Sequence, residues 1–135
     1  MNTKTQVLVI DDDAVVGRSF DRVLSGKGYE VDTALTGEKA LLDIDKTDYD
    51  VVFTDIRMPG MYGLEVAERI KAKCPWTPVV VITGYPTIES AKEAVRLGAY
   101  NYIAKPVGPD DVIKAANDAI NQKRWALRSE QTVTH

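Results

Sequence analysis

Short runs rich in valine and isoleucine alternate five times with longer stretches whose apolar residues recur at helical spacing. Residues 6–10, 30–33, 51–54, 79–83 and 101–104 read as strands. Several are nearly continuous in β-branched residues rather than alternating, as in strands covered on both faces. Residues 14–25, 37–46, 64–73, 87–97 and 110 to about 128 read as helices. Val112, Ala116, Ala119, Ile120 and Leu127 mark the clearest apolar stripe, on the last of them. Five strand–helix units predict an α/β fold, a doubly wound five-stranded parallel sheet with five helices and right-handed crossovers.

Punctuation supports these boundaries. Gly26 and Gly28 stand where the first helix should end and Gly98 where the fourth should. Gly108-Pro109-Asp110-Asp111 opens the fifth with a permissive cap, a first-turn proline and two acids facing the helix dipole. Residues 129–135 read as a polar tail, which assigns residues 1–128 to one domain.

The length of 135 residues suits a single core, since a chain of about 150 residues buries roughly 70% of the surface it would otherwise expose. Apolar residues make up 44% and charged residues 27%, a globular rather than a disordered balance. The net charge of −3 gives no basic footprint for direct nucleic-acid binding. No apolar run approaches the ~20 residues of a membrane span. Met1 is followed by polar residues rather than a signal-peptide core, and Cys74 is the only cysteine, so no internal disulfide forms. The expected location is the cytoplasm, with no membrane association.

The chemistry sits at strand ends. Asp11 and Asp12 follow the first strand, Asp55 the third, Thr83 closes the fourth and Lys105 follows the fifth. In a parallel sheet these ends open onto one edge, so residues distant in sequence converge there. Taken singly, each has a plain structural reading: Asp11, Asp12 and Asp13 as a solvated turn, Thr83 as a strand terminus, Lys105 as a surface cation. Taken together, clustered carboxylates call for a compensating cation, and Mg²⁺ prefers such oxygen ligands, with Mn²⁺ as a substitute. A carboxylate nucleophile, an ammonium and a hydroxyl beside that cation are the parts that neutralise a transferring phosphoryl group.

VLVIDDD, VVFTDIRMPGMYG, VVVITGY and GAYNYIAKPV, in this order and spacing, resemble the receiver domains of two-component response regulators over nearly the whole chain. The resemblance implies the flavodoxin-like receiver topology. It makes Asp55 the phosphate acceptor, Asp12 a direct Mg²⁺ ligand and Asp11 a largely water-mediated one, with the Arg57 carbonyl completing the protein ligands. Thr83 and Lys105 would bind phosphoryl oxygens, Tyr102 would turn in concert with Thr83, and the Lys105–Pro106 peptide would be cis. Implied partners are a sensor histidine kinase or phosphotransfer protein, and an effector domain or second copy docked through the fourth helix, last strand and fifth helix. Glu89, Lys92, Glu93 and Arg96 would decorate that surface or simply solvate it. Lys123, Arg124, Trp125 and Arg128 would carry the last helix toward an effector or form an exposed amphipathic end.

Two positions depart from the family pattern. Tyr62 stands where Asp or Asn usually precedes the glycine, removing a side-chain cap worth about 1 kcal/mol from the third helix. Tyr85, two residues after Thr83, places a bulky group near the water route to the site. Two other readings remain at this level. Asp11 and Asp13 also resemble the entry motif of haloacid-dehalogenase-like phosphatases, with Asp11 as nucleophile. A binding module of the same fold would use none of this chemistry.

Overall fold

The computed structural model of the chain describes residues 4–56, 62–105 and 107–133. In chain order the elements are β1 (Thr5–Ile10), α1 (Ala14–Ser25), β2 (Tyr29–Ala34), α2 (Gly37–Lys46), β3 (Val51–Asp55), α3 (Gly63–Lys73), β4 (Val79–Thr83), α4 (Ile88–Arg96), β5 (Asn101–Ala104) and α5 (Pro109–Val133). All strand pairs are parallel and the spatial order is β2-β1-β3-β4-β5, the predicted doubly wound sheet.

Alternate residues of each strand face opposite layers, which explains the unbroken apolar runs. Val7, Val9, Val51 and Phe53 pack with Phe20 and Leu24 of α1 and Ala116 and Ala119 of α5. Leu8, Ile10 and Val52 face the other way, against Ala40 and Ile44 of α2 and Val66 and Ile70 of α3. Phe20 and Phe53 meet edge to face at 5.0 Å between ring centroids. Truncating Phe53 to alanine at this fully buried position would cost about 3–5 kcal/mol in lost transfer energy and cavity formation.

Local chemistry sets the helix starts. The Asp13 side chain caps α1 by accepting from the Val15 N–H, and Thr36 caps α2 through the Lys39 N–H. Tyr62 occupies the cap position of α3 without a side-chain bond, as its chemistry predicts. Gly28 and Gly98 turn the chain after α1 and α4 at φ of 88° and 86°.

The last helix corrects two expectations. It continues to Val133 instead of ending near Arg128, because residues 129–133 contain no glycine or proline to stop its propagation. Lys123 is not part of an exposed end. It is 7% exposed, donates to the Tyr49 carbonyl at 2.8 Å and stands 3.4 Å from Asp48 and 3.5 Å from Asp50. Asp50 in turn accepts from the Gln6 N–H at 2.8 Å, so α5 is tied to the entry of β3 and to β1 at the edge opposite the strand carboxyl ends. Trp125, by contrast, is 60% exposed.

Candidate functional site

The first crossover carries the chain from β1 outward to β2, and the second returns it past β1 to β3. Loops after β1 and β3 therefore diverge, and the crevice between them is where open α/β sheets bind ligands. Asp11 and Asp55 stand on its two sides. One carboxylate oxygen from each of Asp11, Asp12 and Asp55 lies within 4.8 Å of the other two, with Asp11 and Asp55 buried and Asp12 exposed.

Each acid is held by its own loop. Asp11 Oδ1 accepts from the Asp13 N–H at 2.9 Å, and Asp55 Oδ1 accepts from the Ile56 N–H at 3.0 Å. Lys105 reaches in from the end of β5, donating to Asp11 Oδ2 at 2.8 Å and standing 3.6 Å from Asp55 Oδ1. Its backbone N–H is fixed to the Thr83 carbonyl at 2.7 Å.

Among the described residues three carboxylates face one ammonium, and the imbalance appears in the titration. Burial holds the Asp55 carboxyl above the ordinary aspartate value, with the charges of Asp11 and Asp12 adding to the rise and Lys105 and the Ile56 N–H opposing it. Burial pushes the Lys105 ammonium down, but the bond to Asp11 and the charges of Asp11 and Asp55 leave it above the ordinary lysine value. A hard divalent cation fits this donor set, since it would receive carboxylate oxygens and relieve their mutual repulsion. Arg57, expected to add its carbonyl, and the Lys105–Pro106 peptide lie outside the described residues.

Thr83, 1% exposed, closes β4 with its hydroxyl accepting from the Tyr85 N–H at 3.0 Å. That bond leaves the hydroxyl proton available to an incoming oxygen. Tyr102 lies on β5 opposite Val81 and packs against the buried cluster of Ile56, Leu64, Val81 and Ala94. The Tyr85 side chain is 68% exposed.

Gly63 is a structural determinant that the sequence motif alone did not explain. A Cβ there would fall 1.8 Å from the Asp55 carbonyl oxygen and 2.8 Å from the Ile56 Cα, while the Gly63 N–H donates to the Ile56 carbonyl at 2.8 Å. The start of α3 thus lies directly on the backbone that carries Asp55. Lys123 was also missed, although its spacing from Ala116, Ala119 and Ile120 continues the buried stripe of α5.

Residues 7–117 match the family described as the response regulator receiver domain. The chain is 35% identical over 131 residues to the transcriptional regulatory protein FixJ of Bradyrhizobium diazoefficiens, covering 96% of this chain and 63% of that protein. It is 34% identical over 115 residues to the DNA-binding transcriptional regulator NtrC of Salmonella typhimurium, covering 85% of this chain and 24% of that protein. It therefore spans only part of these curated relatives. Among solved structures, a CheY-like response regulator receiver domain protein from Methanospirillum hungatei superposes with a TM-score of 0.89 at 28% identity, over 92% of this chain and 99% of that one.

Proposed function

This chain belongs to the response regulator receiver domain family, and on that premise we propose that Asp55 accepts a phosphoryl group from the phosphohistidine of a sensor kinase or phosphotransfer protein, or from a small phosphodonor. The supporting observation is the convergence of Asp11, Asp12 and Asp55 within 4.8 Å, with the Lys105 ammonium 3.6 Å from Asp55 and the buried Thr83 ending the next strand.

In this reading the Asp55 carboxylate attacks phosphorus in line with the departing nitrogen of phosphohistidine. An O–P bond forms, the N–P bond breaks, and the imidazole leaves with its bonding pair. Lys105 and the Thr83 hydroxyl bind phosphoryl oxygens, the first as a point charge and the second through its free proton. Asp11, Asp12 and Asp55 would hold Mg²⁺, which when bound neutralises charge shared between the carboxylate and the phosphoryl oxygens. The domain thereby assists its own phosphorylation and dephosphorylation while serving signalling rather than turnover of a separate substrate.

The added charge then draws Thr83 toward the acceptor and Tyr102 follows, altering the surface of α4, β5 and α5 for an effector domain or a second copy. The domain acts in the cytoplasm in this reading; among the described residues no helix is long and apolar enough to cross a membrane. The phosphatase alternative loses its second acid, because the Asp13 carboxylate caps α1, while both oxygens of Asp11 are engaged by Lys105 and the Asp13 N–H. The test is intact-protein mass after incubation with acetyl phosphate. One added phosphoryl group that requires Mg²⁺ and is lost in alkali supports the reading; no adduct with Mg²⁺ present contradicts it.

A further inference from the structure

The phenol of Tyr102 sits in the capping box of α4. Thr87 caps that helix by accepting from the Ser90 N–H at 3.0 Å, and the box is closed by the Ser90 hydroxyl rather than by the Glu or Gln common at that position. The same Ser90 Oγ lies 2.5 Å from the Tyr102 hydroxyl, and the Thr87 N–H points at the phenol oxygen at 3.3 Å. Ser90 Oγ also lies 3.2 Å from the Thr87 carbonyl, and it accepts from the Thr87 hydroxyl at 2.9 Å and from the Thr87 N–H at 3.4 Å, so that amide is shared between Ser90 and the phenol. Either hydroxyl can be the donor across the short Ser90–Tyr102 contact.

We propose that Ser90 is a positioning residue of the phosphorylation switch, holding Tyr102 against the N-terminus of α4 and thereby opposing the rotation that accompanies phosphorylation. The proposal rests on Asp55 being the acceptor. It goes beyond that reading by making the helix cap and the switch one hydrogen-bond network. Moving Tyr102 away removes a hydrogen-bond partner from the Ser90 hydroxyl and an acceptor from the Thr87 N–H, so α4 loses part of its cap whenever the ring leaves. Conversely, weakening the Ser90–Tyr102 contact favours the departed state. By linkage, a substitution that destabilises the held state raises affinity for any ligand that prefers the other.

Ser90→Ala removes the phenol's hydroxyl partner without touching Asp55, Thr83 or Lys105. One hydrogen bond at the usual net strength corresponds to about a fivefold tightening of Mg²⁺-dependent binding of fluoroberyllate, a phosphoryl mimic. Tyr102→Phe should tighten it similarly, and Ser90→Ala should add nothing in the Tyr102→Phe background. Thr87→Ala damages the same cap but keeps Ser90, so it should lower the melting temperature and leave fluoroberyllate affinity nearly unchanged. A purely structural role for Ser90 predicts the reverse, with Ser90→Ala and Thr87→Ala acting alike.

The contact itself is read without any phosphoryl ligand. In protein carrying 3-fluorotyrosine, the ¹⁹F resonance that disappears in Tyr102→Phe should move in Ser90→Ala. An unmoved resonance, unchanged affinity, or an equal effect of Ser90→Ala in the Tyr102→Phe background would overturn the proposal. Failure of fluoroberyllate to bind the parent protein would instead overturn the acceptor reading, and the ¹⁹F comparison would still decide whether Ser90 holds Tyr102.

Discussion

Lys105 is bonded to Asp11 rather than to Asp55: its ammonium lies 2.8 Å from the first carboxylate and 3.6 Å from the second. An ammonium carries three N–H donors, so in the proposed reading Lys105 turns a further one toward a phosphoryl oxygen on Asp55. Charge shared with that oxygen is withdrawn from Asp11, which ties the lysine to cation binding by charge balance.

That imbalance predicts how stability varies with pH. The Asp55 pKa is raised in the folded state, chiefly by burial and then by Asp11. The folded protein thus holds the Asp55 proton more tightly than the unfolded chain does. The favourable contribution is full below the unfolded value of about 3.9 and is lost as pH rises through the folded one. Asp55→Asn, neutral at every pH, should therefore melt higher than the parent at neutral pH without Mg²⁺. The difference should shrink toward zero in acid. A gain that persists at low pH would show that ionisation of Asp55 is not its source.

Asp12 and Asp13 are adjacent, and the proposed site gives them different work. Asp12→Ala should weaken Mg²⁺ binding about tenfold or more and leave the metal-free protein at least as stable, since it removes charge from the cluster. Asp13→Ala should cost about 1 kcal/mol by uncapping α1, with little effect on the metal. Calorimetric Mg²⁺ titration and thermal melts with and without Mg²⁺ separate the two. Equal losses of affinity would contradict the division.

Most of this architecture was legible in the chain. The strands were found because burial on both faces leaves uninterrupted Val and Ile, and Asp11, Asp55, Thr83 and Lys105 converge because parallel strands share one carboxyl edge. Besides the close approach at Gly63, three features were not legible. Lys123 is charged, and polarity alone conceals that its stem follows the buried stripe of α5 while its head finds a carbonyl. The Ser90–Tyr102 contact joins residues on α4 and β5 whose relative rotation no periodicity gives. Continuation of α5 past Arg128 follows from the absence of a stop signal, which polarity had masked.

Gly63 should tolerate no side chain. The Cβ of Gly63→Ala would lie 1.8 Å from the Asp55 carbonyl oxygen, so either α3 or the acceptor backbone must shift. We expect a loss of about 2 kcal/mol or more in denaturant unfolding. We also expect slower phosphorylation by acetyl phosphate under conditions where the variant remains folded. Parent-like stability and rate together would show that the close approach is dispensable.

Lys123 anchors α5 far from the chemistry. Lys123→Ala leaves the buried Tyr49 carbonyl without its ammonium donor, while Asp48, whose side chain is 87% exposed, can turn to water. A cost of about 2 kcal/mol follows, below that of a fully buried ion pair. Denaturant melts should register it and the rate of Asp55 phosphorylation should not change. A change in rate without a change in stability would place Lys123 in the switch.

Chemical mapping of the acceptor tests the account most directly. After reaction with acetyl phosphate and Mg²⁺, reductive trapping of the acyl phosphate and peptide mass analysis should place the modification on Asp55 alone. Asp55→Asn, nearly isosteric, should yield no trapped product while retaining the fold. Modification at Asp11, or an undiminished adduct in Asp55→Asn, would contradict the assignment of Asp55 as the phosphoacceptor.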